Sequence, residues 1–290
     1  MPANALTVLL LILLNAANVV GRLWPYVVGG IASAGLLSYL ARAFQWQVPR
    51  RLPDSLALPA AALLGASSPL STIGMVPVML ELQIKGLSSR VALTFILASS
   101  LLNPQLFALT LGGMGVEFAL AQLLSVLVLS AVLGLAFGNQ LQTDWNLDLT
   151  ESGQRRGLAA QLIGLTEHIG LYFLVGVTIA STLEVLLPLL GVIGWLGDRG
   201  FLSTPLVGWI GAPFYTCGGS AVPLASSLMR TGLAPDVLFV FLLVGPALRG
   251  TTLGALGCLM PKRAQLLCLA ALVSAGGLMG YVFRWWMGVL

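Results

Sequence analysis

Residues 65–74 read Gly-Ala-Ser-Ser-Pro-Leu-Ser-Thr-Ile-Gly, and this stretch joins two apolar segments, Ser55–Ala66 and Met75–Lys85. As a helix, each segment would be about 18 Å long. The hydrocarbon core of a bilayer is about 30 Å thick, so neither segment can cross it alone. Non-helical backbone at membrane depth is tolerated only where protein or water surrounds it. The stretch therefore predicts the tip of a re-entrant helical hairpin.

The same pattern returns 146 positions later in the chain. Residues 211–220 read Gly-Ala-Pro-Phe-Tyr-Thr-Cys-Gly-Gly-Ser, between the apolar segments Leu202–Gly211 and Ala221–Arg230. The pairs that match without a gap include Gly65 with Gly211, Val76 with Val222, Pro77 with Pro223 and Gly86 with Gly232. Because this shift is about half of the 290 residues, we interpret the chain as one structural unit used twice. Matching interruptions in two apolar halves are the best sequence indication of a transporter's binding site.

The composition is typical of a membrane protein. Charged residues make up 8% of the chain, against about 25% in soluble domains, and the mean hydropathy is +0.96. The isoelectric point near 9.3 comes from a small number of charged residues, so we interpret it as a sign of membrane topology. The sequence contains no basic stripe with interleaved aromatic residues, so nucleic-acid binding is not indicated. Cys217, Cys258 and Cys268 are scattered, so no metal site, cofactor or disulfide framework is predicted.

Each half contains a long apolar segment that is interrupted near its middle. Arg90–Gly112 contains Asn103-Pro104, and Pro235–Met260 contains Gly245-Pro246. Proline lacks a backbone donor and kinks or ends a helix. Each segment is therefore predicted to form one broken transmembrane helix.

Each half then closes with an uninterrupted apolar segment, Val116–Phe137 and Ala264–Val289. Small residues suit these closing spans for close helix packing; they are Gly134, Ala136, Gly276, Gly277 and Gly280. A polar stretch joins the halves, which divides the chain into an N-terminal membrane repeat (1–138), a polar linker loop (139–156) and a C-terminal membrane repeat (157–290).

The first segment of the N-terminal half has two possible interpretations. Asn4–Arg42 is too long for one straight span, so it is either one helix kinked at Pro25 or two spans. Its counterpart in the second half is Gly157–Leu187, and the shift places Arg22 on His168. A polar N-terminal stretch therefore belongs to both units.

Charge placement tests the hairpin prediction. If both hairpins re-enter, the loop cations on one face are Arg42, Arg50, Arg51, Lys85, Arg90, Arg155, Arg156, Lys262 and Arg263, against Arg199 and Arg230 on the other. The positive-inside rule favours this arrangement. Each unit then crosses the membrane an odd number of times, so the units are inverted. The predicted fold class is an all-α polytopic membrane protein with two inverted repeats, each of about three transmembrane helices plus a re-entrant helical hairpin and one broken helix.

The hairpin tips supply the candidate substrate ligands. At each tip the first arm offers carbonyl groups, and the second arm offers N–H groups at the positive end of a helix dipole. The polar side chains of the tips are Ser67, Ser68, Ser71, Thr72, Tyr215, Thr216, Cys217 and Ser220. The alternative is that these side chains only satisfy the broken backbone.

Arg249 is the strongest candidate outside the tips. It lies in the otherwise neutral run Leu242–Leu256, and an intramembrane arginine is by default a functional-site hypothesis. The alternative is a structural ion pair with Glu184 or Glu167. Asn103 occupies the matching position of the first half and is also a predicted substrate ligand.

Glu167 and His168 are the candidates for carrying a coupling proton, with a helix-end or interfacial role as the alternative. An enzyme is poorly supported, because one histidine excludes a His-Glu-x-x-His metalloprotease helix and no phosphate-binding loop is present. Ser67 or Ser68 with His168 could form an intramembrane serine hydrolase dyad. That reading does not explain why the region is repeated, so no catalytic residue is predicted.

Several of these motifs resemble the predicted permease family that includes the organoarsenical efflux permeases (ArsP-like permeases). The resemblance covers nearly the whole chain. The motifs that carry it are Gly65–Gly74 with Val76-Pro77, Lys85-Gly86, Phe95–Pro104, Gly211–Pro223, Gly232 and Gly245-Pro246. It implies an eight-segment membrane permease and, for some members, export of trivalent organoarsenicals or a role in metalloid and metal stress.

The first tip departs from the family pattern. Many members carry two cysteines separated by one residue there, whereas this chain has Ser71, Thr72 and Ile73. Arsenic ligation by soft thiolates is therefore not expected at this tip, and Cys217 is the only tip thiol. The resemblance predicts transport without fixing the substrate.

Together these observations predict a multi-pass permease of the cell (inner) membrane. It would export a small polar or anionic solute, of metalloid or organoarsenical type by resemblance, by alternating access driven by an ion gradient. The predicted partners are a small-molecule or ion substrate and the lipid bilayer, with no nucleic acid. The alternatives are a channel for a small solute and, more distantly, the hydrolase. The oligomeric state stays open, a homodimer included.

Overall fold

The computed structural model describes residues 54–68, 87–141, 218–230 and 232–288, together with residues 83, 178 and 182 and several positions between residues 10 and 28. All regular structure in this part of the chain is helical, as predicted. The helices are α1 (Asp54–Ala66), α2 (Ser89–Leu101), α3 (Pro104–Met114), α4 (Val116–Phe137), α5 (Gly218–Arg230), α6 (Pro235–Val244), α7 (Gly250–Leu259) and α8 (Lys262–Trp286). Short 3-10 turns follow α4 at Gly138–Gln140 and α6 at Gly245–Leu248.

Two described helices are long and apolar enough to cross a membrane. They are α4 with its 3-10 turn, Val116–Gln140, and α8, each of 25 residues. They agree with the predicted closing spans. Helices α2 and α3 pass the same test only when taken together, and they are bent by 42° at their break, as in a broken span or a re-entrant loop. The break lies at Asn103-Pro104, where the sequence predicted an interruption.

The helix starts repeat along the chain with the offset seen in the sequence. Helices α2, α3 and α4 start at residues 89, 104 and 116, and helices α6, α7 and α8 start at residues 235, 250 and 262. Each pair is separated by 146 residues. The two halves therefore place their helix breaks at matching positions.

Helix α1 lies along α2 with its start beside the start of α2. Leu58 and Ala61 of α1 cluster with Val91 near the beginning of α2. Farther along, Gly65 packs so closely that a Cβ atom there would lie 2.6 Å from the carbonyl oxygen of Phe95 and 2.9 Å from the Cβ of Ala98. Helix α1 therefore ends beside the second half of α2.

Helices α2 and α4 meet with the start of one beside the end of the other. Arg90 Nε donates to Asn139 Oδ1 at 3.1 Å, and Gly138 packs against Arg90. One turn deeper, Gly134 has no room for a Cβ atom because Thr94 Oγ1 occupies that space. These contacts define one end of the helix bundle, which we call the Arg90 end.

Helices α6 and α8 repeat this relation at the other end of α4. Arg284 Nη1, near the end of α8, lies 3.9 Å from Asp236 Oδ2 at the start of α6. The ring of Phe118, at the start of α4, makes edge-to-face contacts with Phe239 at 5.3 Å and Phe283 at 5.2 Å between ring centroids. We call this end of the bundle the Asp236 end; along α4 it lies about 33 Å from the Arg90 end.

Two details differ from the sequence predictions. Helix α5 begins at Gly218, so Ser220, which was assigned to the tip, lies in the first turn of a helix. Ala136 is exposed, so its predicted role in close helix packing was wrong, because the packed face of α4 turns Gly134 and Gly138 toward α2 instead. Gly276 fills its predicted role, since it packs directly against Val244, and Gly277 and Gly280 are buried.

Candidate substrate site

The first predicted hairpin tip begins at the end of α1. The backbone N–H of Ser67 donates to Leu63 O at 3.0 Å, and that of Ser68 donates to Gly65 O at 2.9 Å. Ser68 is buried and Ser67 is half-buried. Because Gly65 lies against Phe95 and Ala98, the tip starts level with the last turns of α2, just before its break.

The break between α2 and α3 is set by the sequence Leu102-Asn103-Pro104. Leu102 and Asn103 are extended, with φ near −140° in both, as proline requires of the residue before it. Asn103 caps α3, since its Oδ1 accepts the N–H of Leu106 at 2.7 Å. Pro104 occupies the first helical position, where no N–H is needed.

Hydroxyl groups satisfy carbonyls in the last turns of α2. Ser99 Oγ donates to Ile96 O at 3.0 Å, and Ser100 Oγ donates to Leu97 O at 2.8 Å. Both serines are buried. Neither serine was predicted as a functional residue, although a Ser-Ser pair just before Asn-Pro in an apolar segment is a usable signal. The repeat places Gly245-Pro246 at the positions of these two serines.

The second break therefore uses different groups. Pro246 has no N–H, so the carbonyl of Leu242 loses its regular helical donor. Gln122 of α4 replaces it, with Nε2 donating to Leu242 O at 3.4 Å. Thr252 Oγ1 donates to Pro246 O at 2.9 Å. Gln122 and Thr252 are fully buried, and Gln122 was missed because its partner is distant in sequence.

Arg249 occupies at the second break the position that Asn103 occupies at the first. It is the N-cap residue of α7, with an extended backbone at φ −66° and ψ 141°. Its carbonyl oxygen accepts the N–H groups of Thr252 and Leu253, each at 2.9 Å. The side chain is half-buried. The N-terminal N–H groups of both α3 and α7, with their partial positive charge, therefore point toward the two breaks.

Elements of the two halves also pack against each other. The 3-10 turn Gly245–Leu248 packs against α2, and α5 packs against α3. The first residues of α5, Gly218–Ser220, are the last residues of the second predicted tip. Of the predicted site residues, the structure thus describes Ser67, Ser68, Asn103 and Arg249 near the ends of broken helices.

The other predicted site residues lie outside the described part of the chain. They are Ser71, Thr72, Tyr215, Thr216 and Cys217 of the tips, and the coupling candidates Glu167 and His168. For Ser220 only the helical backbone is described. Glu184 and Glu167, the alternative ion-pair partners of Arg249, also lie outside it.

Comparison with known proteins identifies the family. A family model described as a predicted permease matches residues 7–285. This chain belongs to that permease family. No curated protein and no solved structure gives a significant match. The matched region contains both helix breaks, both predicted tips and both closing helices. Together with the apolar helices α4 and α8, family membership makes the chain a membrane permease.

Proposed function

We propose that this permease exports a small polar or anionic solute by alternating access, with its binding site where the hairpin tips meet the two helix breaks. The observation that carries the proposal is the matched pair of breaks. Each break is followed by a helix N-terminus, and the N-cap residue is Asn103 in one and Arg249 in the other. Helix N-termini that point at anionic substrate groups are a recurrent feature of transporters with broken helices.

The helix contacts support inverted units. Helix α2 starts at the Arg90 end of the bundle, beside the end of α4. Helix α6, its counterpart in the repeat, starts at the Asp236 end, beside the end of α8 and the start of α4. If α4 crosses the bilayer, counterpart helices start on opposite faces, as an inverted repeat requires.

The contacts of α1 support the first hairpin. Both α1 and α2 start at the Arg90 end, where Leu58 and Ala61 cluster with Val91. Helix α1 ends at the depth of Phe95 and Ala98. Ser68 thus lies at the depth of the last turns of α2, and Leu87 lies just before the start of α2. A re-entrant hairpin would join these two positions.

The charge at the breaks favours an anion or the oxygen-rich end of a zwitterion. Arg249 contributes a full positive charge, and the N-termini of α3 and α7 add partial ones in a setting of low dielectric. An arginine side chain can also donate hydrogen bonds to two oxygen atoms of the same anion. Outward direction and a metalloid or organoarsenical type of substrate rest on the family resemblance, and we expect recognition through oxygen atoms because the first tip lacks the cysteine pair.

Uptake into proteoliposomes tests the proposal, with arsenate, methylarsonate and trivalent methylarsenite as probes. Saturable flux that exchanges solute across the membrane identifies a carrier, whereas flux without saturation or exchange identifies a channel. We expect transport to fall in the order Arg249, Arg249→Lys and Arg249→Gln, because lysine keeps the charge and loses the planar fork. Arg263→Gln is the matched control, since Arg263 is exposed at the start of α8. Unchanged flux in a stable Arg249→Gln variant would remove Arg249 from the site.

A further inference from the structure

An apolar groove lies on the surface between α4 and α8, each of which is long and apolar enough to cross a membrane. Its volume is about 140 Å³, close to that of an apolar cavity that binds a group as large as benzene. Almost all of the surface that lines it is apolar. The lining includes Ala121, Leu124 and Val128 of α4 and Met279, Phe283 and Trp286 of α8. We call this recess the α4–α8 groove.

The groove is open to the outside and closed at its floor. Leu124, Val128 and Trp286 are exposed at its rim. The ring of Phe283 is buried beneath them and stacks on Phe239 with 4.4 Å between the ring centroids. Exposed apolar side chains on helices that cross a bilayer contact acyl chains, because the hydrocarbon core holds no water. The groove is therefore a recess with a packed floor that a segment of an acyl chain can enter.

The depth of the groove matches one leaflet of a bilayer. Along α4, Glu117 and Val128 are about 17 Å apart, and half of the hydrocarbon core is about 15 Å thick. The outer end of the groove lies at the Asp236 end of the bundle, where Phe118 contacts Phe283. Trp286 lies about one turn beyond Phe283, at the end of α8, and tryptophan is enriched where a membrane meets water. The groove thus runs inward from the membrane surface.

Glu117 supplies a negative charge at the outer end of the groove. It is exposed in the first turn of α4, four residues before Ala121, so both lie on the same face of that helix. Within the described part of the chain its carboxylate forms no ion pair or hydrogen bond. A carboxylate attracts an ammonium group and repels a phosphate. The indole of Trp286 offers a ring face to a cation and an N–H donor to a phosphate oxygen.

We propose that the α4–α8 groove binds a phospholipid whose headgroup carries a primary ammonium group, as in phosphatidylethanolamine. One acyl chain lies over Phe283, and the ammonium group donates hydrogen bonds to the carboxylate of Glu117. Lipid tails are as apolar as leucine, so the preference comes from the headgroup and from packing. The quaternary ammonium of phosphatidylcholine has no N–H donor, and phosphatidylglycerol brings a net negative charge. This site goes beyond the proposed transport, and its binding needs no transported solute.

Native mass spectrometry of the full-length protein tests the headgroup preference. The probes are phosphatidylethanolamine, phosphatidylcholine and phosphatidylglycerol with identical acyl chains, added in competition. We expect phosphatidylethanolamine to be retained in about two- to fivefold excess over either competitor, which is the effect of one exposed charge pair. Glu117→Gln should remove this excess. Lys262→Gln is the control, because Lys262 is exposed at the opposite end of α8 and should leave the excess unchanged.

A second pair of variants tests the groove itself. Ala121→Phe places a ring in the groove and should lower the retention of all three lipids. Leu120→Phe is the matched control, since Leu120 is exposed next to Ala121 and does not line the groove. Melting temperatures show whether the variants fold. If Ala121→Phe does not fold, Val128→Trp fills the groove from an exposed position.

Three outcomes would overturn the proposal. Equal retention of the three lipids, or an excess that persists in Glu117→Gln, would exclude recognition of the ammonium group. Equal retention in Ala121→Phe, or in Val128→Trp, and in Leu120→Phe would place the bound lipid elsewhere. A lipid-free dimer that Ala121→Phe converts to a monomer would assign the groove to a second copy of the chain.

Discussion

Gln122 Nε2, in α4, donates to the carbonyl oxygen of Leu242 in α6, a residue 120 positions away in the chain. The bond exists because Pro246 cannot supply the N–H that a regular helix would offer to this carbonyl. An amide in a fully buried position of a transmembrane segment thus serves the broken helix of the other unit. The integrity of the second break depends on the first unit.

Replacing Gln122 with leucine should therefore destabilise the protein. The variant leaves Leu242 O without its donor, and an unsatisfied buried carbonyl costs about 1–3 kcal/mol. Unfolding followed in detergent micelles measures the loss. The control is the Pro246→Ala background, where an N–H at residue 246 can satisfy Leu242 O, so Gln122→Leu should cost much less there. An equal cost in both backgrounds would show that the amide acts through another contact.

Cysteine labelling should show that α4 and α8 cross the membrane in opposite directions. The end of α4 and the start of α8 then lie on one face, and the start of α4 and the end of α8 lie on the other. After replacement of Cys217, Cys258 and Cys268, single cysteines at Asn139 and Lys262 should react with an impermeant reagent from one side of the membrane. Cysteines at Glu117 and Met287 should react from the other side. All four positions are exposed. Labelling of Glu117 and Lys262 from the same side would contradict the inverted arrangement.

Gly134→Ala should destabilise the packing of α2 on α4. Its methyl group would occupy the space of Thr94 Oγ1, and overpacking of this kind costs about 1–3 kcal/mol. Gly254→Ala is the matched control, since a Cβ atom at that helical position meets nothing within 4 Å. Melting temperatures in detergent compare the two, and adding Thr94→Ala to Gly134→Ala should recover part of the loss. A Gly134→Ala variant as stable as Gly254→Ala would mean that the two helices are not in close contact.

Substitutions in the predicted tips should abolish transport and leave folding largely intact. Ser71→Leu and Ser220→Leu are each expected to abolish solute flux while expression and melting temperature change little. The physical reason is that a leucine removes a hydroxyl from a site that binds a polar solute and blocks part of it. Ser274→Leu is the control, because Ser274 is exposed on α8 and only donates to Ala270 O in its own helix. Normal flux in both tip variants, or failure of both to fold, would contradict the assignment.

Local chemistry made the breaks predictable. Asn103-Pro104 ends α2 because proline restricts the backbone of the residue before it and lacks an N–H donor. The closing helices α4 and α8 were predictable because their segments are long and apolar. The side chains that hydrogen-bond to the free backbone carbonyls near the breaks were harder to predict. Ser99 and Ser100 act within their own helix, whereas Gln122 acts on a helix of the other unit, and no local pattern reveals that partner.

Side-chain direction accounts for the remaining differences. Ala136 and Gly134 are two residues apart on α4, which places them on different sides of the helix, and composition alone cannot say which side meets a neighbour. The Asp236–Arg284 pair was missed for a related reason, since it joins helix ends that are 48 positions apart.

Helix α2 is held from two sides by glycines of its neighbours, Gly65 of α1 and Gly134 of α4. Because the backbones of these helices touch directly at the two glycines, sliding or rotation of one helix past another would create steric clashes. These contacts favour movements of the first unit in which α1, α2 and α4 stay packed together. Bending is then expected at Leu102 and Asn103, because the axes of α2 and α3 already differ by 42° there and the helical hydrogen bonds are interrupted. The Asn-Pro pair that interrupts the helix would then also be the pivot about which these packed helices swing.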